Sequence, residues 1–128
     1  MLDARQLFGQ QGESDAEGYL RRKGYRILER NARSSSGELD LIAQDGKVLV
    51  FVEVKARRTD AFGGAVYAVD ERKQARLVRL AARYLAQHRL RDQPCRFDVV
   101  LVHASQGSAD RIEHIPNAFE VPGEDLRW

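Results

Sequence analysis

Residues 38–55, ELDLIAQDGKVLVFVEVK, decide how the rest of the chain is read. Two runs rich in Val, Leu, Ile and Phe, Glu38–Gln44 and Lys47–Lys55, flank Asp45-Gly46, a dipeptide that tolerates positive φ and suits a tight hairpin turn. In the second run, period-two alternation puts Val48, Val50, Val52 and Val54 on one face and Leu49, Phe51, Glu53 and Lys55 on the other. With Asp45-Gly46 as a two-residue loop, Asp40 pairs with Phe51 and Glu38 with Glu53, so the acids and Lys55 share a face. Asp40 is then a diagonal neighbour of Glu53, roughly 7–8 Å between α-carbons. An odd-length or bulged turn would break this arrangement.

Two carboxylates aimed at one point on an apolar hairpin repel each other unless a cation or proton intervenes. Hard oxygen ligands favour Mg²⁺ or Mn²⁺ over zinc. Such an ion grips a phosphate oxygen and acidifies a bound water, while the Lys55 ammonium orients that water or stabilises developing charge. The chemistry is phosphodiester hydrolysis. A plainer reading fits the same spacing: the charges mark the wet face of a half-covered sheet, and Lys55 pairs with Glu53.

Working outward, Ala16, Tyr19, Leu20 and Lys23 recur at helical spacing until Gly24. Ser14 and Glu17 form a candidate capping box, which puts the first turn near residues 12–15 and leaves residues 1–11 as a frayed leader. Glu13, at that start, either adds a third carboxylate or favours the helix N-terminus through the macrodipole. Tyr25–Asn31 alternates as a short strand, and Arg33–Gly37 reads as a turn or mobile loop. Phe62-Gly63-Gly64 interrupts structure before a long helix from about Asp70 to His88. Arg96–Val102 reads as a fourth strand and Arg111–Ile115 as a fifth at an edge. Strand, helix, strand is the pattern of a parallel crossover. The expected architecture is therefore an α/β domain of αβββαβ order with a mixed central sheet flanked by helices.

In the long helix, Arg72, Arg76, Arg79 and Arg83 are spaced four, three and four apart and form one stripe. Val78, Ala81, Ala82 and Leu85 are expected to bury against the sheet, which turns the arginines outward. Residues 71–96 hold eight Lys/Arg against two acids although the whole chain is only +2, so the positive charge is concentrated there. A phosphate track fits this better than a solvated face of mixed sign. Lys73 lies off the stripe.

At 128 residues, with 43% hydrophobic and 31% charged positions, the chain reads as one ordinary globular domain and not as a disordered or fibrous protein. Val48–Val52, its longest apolar run, is too short to span a membrane, and the first twenty residues are too polar for a signal peptide. One cysteine, Cys95, excludes an internal disulfide and a thiolate zinc site; His88, His103 and His114 lack ligand spacing and read as structural or surface residues. A cytoplasmic location is expected.

The separated blocks Gly12-Glu13-x-x-Ala16, Tyr19-Leu20, Gly24-Tyr25, Asn31-x-Arg33, Gly37-Glu38-Leu39-Asp40-Leu41-Ile42-Ala43 and Phe51-Val52-Glu53-Val54-Lys55-x-Arg57 resemble the YraN family of bacterial proteins. So do Arg96-Phe97-Asp98-Val99-Val100 and Asn117-Ala118-Phe119, which extends the resemblance over roughly residues 12–119. It implies a restriction-endonuclease-like core of the PD-(D/E)xK type, similar to that of archaeal Holliday-junction resolvases. By the same resemblance Asp40 and Glu53 are metal ligands, Lys55 the catalytic lysine, Glu13 the acid of the N-terminal helix, and Lys73 a DNA contact. Leu39 stands where the motif's name has proline, a departure that spares the carboxylate.

The expectation is thus a single domain over residues 12–119 with an acidic tail, 120–128, acting as a Mg²⁺- or Mn²⁺-dependent DNA endonuclease, with structure selectivity in the resolvase-like case. Its nucleic-acid-binding residues would be Arg72, Lys73, Arg76, Arg79 and Arg83. The alternative is a non-catalytic nucleic-acid-binding accessory protein with the same stripe. A homodimer follows only from the resolvase analogy, because symmetric junction cleavage needs two sites.

Overall fold

The computed structural model describes residues 3–57, 69–103 and 111–120. Their elements run α1 (Ala4–Arg22), β1 (Arg26–Ser34), β2 (Gly37–Asp45), β3 (Val48–Arg57), α2 (Glu71–Gln87), β4 (Cys95–His103) and β5 (Arg111–Ile115). The five strands form one sheet in chain order, antiparallel except for the parallel β3–β4 pair. This is the mixed α/β core expected of a restriction-endonuclease-like chain. The Phe62-Gly63-Gly64 breaker and the tail from residue 121 lie outside the described residues.

Each helix covers its own side of the sheet. Ala16 and Leu20 of α1 pack with Leu41, Ala43, Val50, Val52, Val100 and Val102, while Leu77, Leu80, Ala81 and Leu85 of α2 pack with Leu39, Ile42, Leu49, Phe51, Phe97, Val99 and Leu101. Strands β3 and β4, covered on both faces, therefore need apolar residues at nearly every position, which is why Val48–Val52 and Val99–Val102 read as continuous runs. Each fully buried side chain of this size contributes roughly 1.5–3 kcal/mol.

Helix α1 starts at Ala4 and not near residues 12–15. Asp3 caps it: its Oδ1 accepts the Gln6 N–H at 2.8 Å, and Gln6 Oε1 accepts the Asp3 N–H at 2.9 Å. Ser14 and Glu17 are consequently mid-helix. Both face β1, where Arg30 donates to Ser14 Oγ at 2.9 Å, to the Gln10 carbonyl at 3.2 Å and to Glu17 Oε1 at 3.4 Å.

The expected loop over 33–37 contracts to a two-residue turn, Ser35-Ser36, because β1 continues to Ser34 and β2 begins at Gly37. Gly37 sits at φ +137, open to glycine and strained for other residues. Arg83 of α2 donates to Ser35 Oγ at 2.8 Å and ties this turn to the helix. The β2–β3 loop is Gly46-Lys47 and not Asp45-Gly46, since Asp45 pairs with Val48 and Ile42 with Phe51. Gly46 at φ +61 followed by a residue outside the left-handed region is the II′ pattern that matches strand twist. The register moves by two residues, which conserves side-chain parity near the turn.

On α2 the buried set is Leu77, Leu80, Ala81 and Leu85, with Val78 half-buried and Ala82 exposed. The helix is rotated from the expected face because two leucines remove more apolar area from water than Val78 and Ala82. Arg72, Arg76, Arg79 and Arg83 remain exposed after that rotation.

Candidate active site

The sheet forks beside Asp40. Pairing between β2 and β3 ends at Leu41–Val52; beyond it β2 is held by β1 through Ala32–Leu39 and Arg33–Glu38, and β3 by β4 through Glu53–Val99 and Lys55–Leu101. The Asp40 carboxylate lies in this fork. Its Oδ2 accepts the Val54 N–H at 2.8 Å, so a side chain takes the place of a ladder carbonyl.

At the same level, both strands of the β1–β2 pair change faces. Leu41 belongs to the core on the α1 side and Leu39 to that on the α2 side; across from them, Arg30 reaches α1 and Ala32 packs into the core on the α2 side. Residues two apart would share a face in a regular strand, so the alternation slips by one at Asn31 and Asp40. Asn31 carries the slip on β1 at φ +56.

The slip corrects the geometry drawn from an ideal hairpin. Asp40 does not share a simple face with Glu53 and Lys55; it sits between the strands, where it meets Glu13 from α1 and Glu38 from its own strand. One carboxylate oxygen of each of Glu13, Glu38 and Asp40 lies within 4.8 Å of the others, all half-buried. Glu53 is outside that set. It is 9% exposed, and its Oε2 lies 3.1 Å from Lys73 Nζ of α2. Lys55 is exposed two residues further along β3.

Gly12 sets how close α1 comes. A Cβ at this position would stand 2.8 Å from the Ala56 Cβ, so only glycine lets the helix lie against β3 and carry Glu13 to the fork. Asn31 links the cluster: with its nitrogen toward the acids, as their acceptor oxygens require, Nδ2 donates to Glu38 Oε1 at 2.8 Å and Glu13 Oε1 at 3.1 Å. Arg33 Nε completes the Glu38 carboxylate at 3.0 Å.

Burial is the main cause that drives the Asp40 carboxyl up to about 7; Glu13, Glu53 and Glu38 push the same way, and the Val54 N–H opposes them. Burial likewise raises Glu13, reinforced by Glu38 and partly offset by Arg30 and Asn31. Burial thus makes both groups hold a negative charge less readily than water would, a cost that a bound cation would offset. The clustered hard oxygens of Glu13, Glu38 and Asp40 could hold a metal ion, and neither sulfur nor imidazole is among them.

The histidines lie elsewhere. His114 Nε2 is 2.7 Å from Asp98 Oδ2, and Asp98 also receives Arg96 Nε at 2.9 Å and the Asn117 N–H at 2.9 Å. Burial raises the Asp98 carboxyl, but these donors outweigh it and leave the group below its ordinary value. This assembly ties β5 and the segment after it to β4.

Two members of the fork carry no site role in the sequence reading: Asn31, and Glu38, which is placed there only opposite Glu53. Glu38 had a usable signal, standing two residues before Asp40 on the same strand. Asn31 had only a weak one, a residue type that tolerates the left-handed region inside an otherwise extended stretch. Lys73, the expected DNA contact on α2, has its ammonium 3.1 Å from Glu53 Oε2.

Comparison with known proteins gives the chain's relatives. The profile described as Uncharacterised protein family UPF0102 matches residues 12–102. The chain is 52% identical to a UPF0102 protein of Symbiobacterium thermophilum over 113 residues, covering 88% of this chain and 96% of that one. It is 48% identical to one of Pelotomaculum thermopropionicum over 120 residues, covering 93% and 100%, and 46% identical to one of Trichlorobacter lovleyi over 117 residues, covering 91% and 92%. Among the described residues, no helix is long and apolar enough to cross a membrane.

Proposed function

Since this chain belongs to the UPF0102 family, the YraN family, we propose from its own site that it is a metal-dependent nuclease that hydrolyses DNA phosphodiester bonds. The observation that carries the reading is the convergence of Glu13, Glu38 and Asp40 within 4.8 Å at a fork flanked by Glu53 and Lys55. Asp40 and Glu53 would hold Mg²⁺ or Mn²⁺, with the Glu13 and Glu38 carboxylates beside Asp40. When bound, the ion supplies Lewis acidity toward a phosphate oxygen and lowers the pKa of water.

The chain's own residues do the rest. Lys55, exposed beside the fork, stabilises the charge that grows on the scissile phosphate as the P–O bond breaks. Arg72, Arg76, Arg79 and Arg83 line one exposed face of α2 and grip the phosphates of the same strand. Lys73, paired with Glu53, stands between that track and the carboxylates. The protein acts in the cytoplasm, as a homodimer if its substrate is a four-way junction.

The second reading is a nucleic-acid-binding accessory protein without cleavage, favoured by one observation: Lys73 already supplies Glu53 with a cation. Titration with Mn²⁺ separates the two. The enzyme reading expects ion binding that Asp40→Asn removes. DNA binding of full strength with no metal response in either protein would favour the accessory reading.

A further inference from the structure

Asn31 has a conformation that its strand does not need. It lies between the Arg30–Leu41 and Ala32–Leu39 pairs, where extended backbone would continue the ladder, yet its φ is +56. The left-handed region is unfavourable for L-residues, and asparagine is among the few side chains that enter it with little strain. Backbone held this way inside a strand persists only where surrounding structure imposes it, and such places cluster at functional sites.

Its side chain shows what the conformation does. The turn at Asn31 moves β1 from contact with α1, through Arg30, to the core on the α2 side of the sheet, through Ala32. Between those two directions its amide enters the acidic fork, and Nδ2 donates one hydrogen to Glu38 and the other to Glu13. These carboxylates come from different elements, β2 and α1, and their charges repel. A neutral group with two hydrogens on one nitrogen holds both at fixed spacing without contributing a competing positive charge.

We propose that Asn31 is a positioning residue of the metal site: its left-handed backbone delivers an amide that bridges Glu13 and Glu38 and fixes the carboxylate spacing into which a divalent cation fits. This rests on the metal-dependent reading above. Asn31 is not a ligand in this account, since its donor atoms face the acids. It acts as hydrogen-bonding partners behind metal ligands generally do, by orienting the oxygens.

The test is Mn²⁺ binding by calorimetry to the full chain and to Asn31→Gly, which keeps the backbone conformation and deletes only the amide. The expected result is a Kd weakened roughly 10- to 100-fold, the usual effect of losing such a partner. Metal-free DNA binding should be unchanged. In the background of Glu13→Ala, which removes one end of the bridge, Asn31→Gly should weaken Mn²⁺ binding far less. A Kd within about twofold of wild type, in a folded protein, would overturn the inference and leave the metal-site reading intact; no Mn²⁺ binding to wild type would overturn both. If Asn31→Gly does not fold, the wild-type protein still decides. On titration with Mg²⁺, the Asn31 side-chain amide resonances should shift with the same midpoint as the Val54 backbone amide, and resonances that stay fixed while Val54 shifts would overturn the inference.

Discussion

Lys73 of α2 holds its ammonium 3.1 Å from Glu53 Oε2 of β3, across the layer between helix and sheet. The pair couples the basic helix to the acidic fork. It also sets a competition, because a divalent ion at Glu53 must share that carboxylate with a resident cation or displace it.

Replacing Lys73 with Gln removes the competitor. Mn²⁺ should bind several-fold more tightly, while the metal-free protein loses about 1–3 kcal/mol because a buried carboxylate gives up its charged partner. Saturating Mn²⁺ should recover most of that loss. Calorimetry and thermal melts with and without Mn²⁺ read both effects; weaker metal binding in the variant would assign Lys73 to holding Glu53 in place and not to competing for it.

Asp40 predicts a pH dependence. Its folded pKa of about 7 lies above the ordinary 3.8, so between those values the folded state binds the proton more strongly. Stability from this group is full below about pH 4 and is lost as pH rises through 7, at up to about 1.4 kcal/mol per pH unit. Glu13, also raised, adds to the same trend. Denaturant melts of metal-free protein should show the decline, and Asp40→Asn should flatten it while keeping an acceptor for the Val54 N–H. An unchanged slope in Asp40→Asn would place its origin elsewhere.

Gly12→Ala tests the approach of α1. Helix propensity favours alanine by about 1 kcal/mol, but its methyl would meet the Ala56 Cβ at 2.8 Å, and overpacking of this kind costs about 1–3 kcal/mol. The net expectation is a small loss of stability with a larger loss of metal affinity, because Glu13 is the next residue. A stabilised variant with undiminished Mn²⁺ affinity would show that the helix can shift without disturbing the fork.

The arginine stripe is separable from the fork. Arg76→Gln with Arg79→Gln should weaken binding to DNA of any sequence and make the slope of log affinity against log salt shallower by up to roughly two units. Metal affinity should hold. Filter binding across a salt series measures the slope, and an unchanged value would mean that these two exposed residues touch no phosphate.

Regular repetition made most of the fold legible. Period-two alternation disclosed β3 and β4, and the 3.6-residue period disclosed α2. Short-range chemistry set the limits: the Asp3–Gln6 capping box lies ahead of any apolar period, so the early start of α1 left no hydrophobic trace. At the hairpin, Asp45-Gly46 and Gly46-Lys47 are both acceptable two-residue turns, and the choice moved the register by two. Asp40, Glu53 and Lys55 stood out by residue type and spacing, but their arrangement depends on a fork and a paired change of face at Asn31 and Asp40. Period-two reasoning assumes that neither occurs.

Cleavage is the most direct measurement of the central claim. Purified protein is incubated with duplex, single-stranded, flap and four-way DNA in Mg²⁺, in Mn²⁺ and in chelator, beside Glu53→Gln and Lys55→Ala. The account predicts metal-dependent cutting of a branched or single-stranded substrate, abolished in Glu53→Gln, and lost in Lys55→Ala with metal and DNA binding retained. A clean preparation inactive on every substrate, or a Glu53→Gln protein that cuts like wild type, would contradict it.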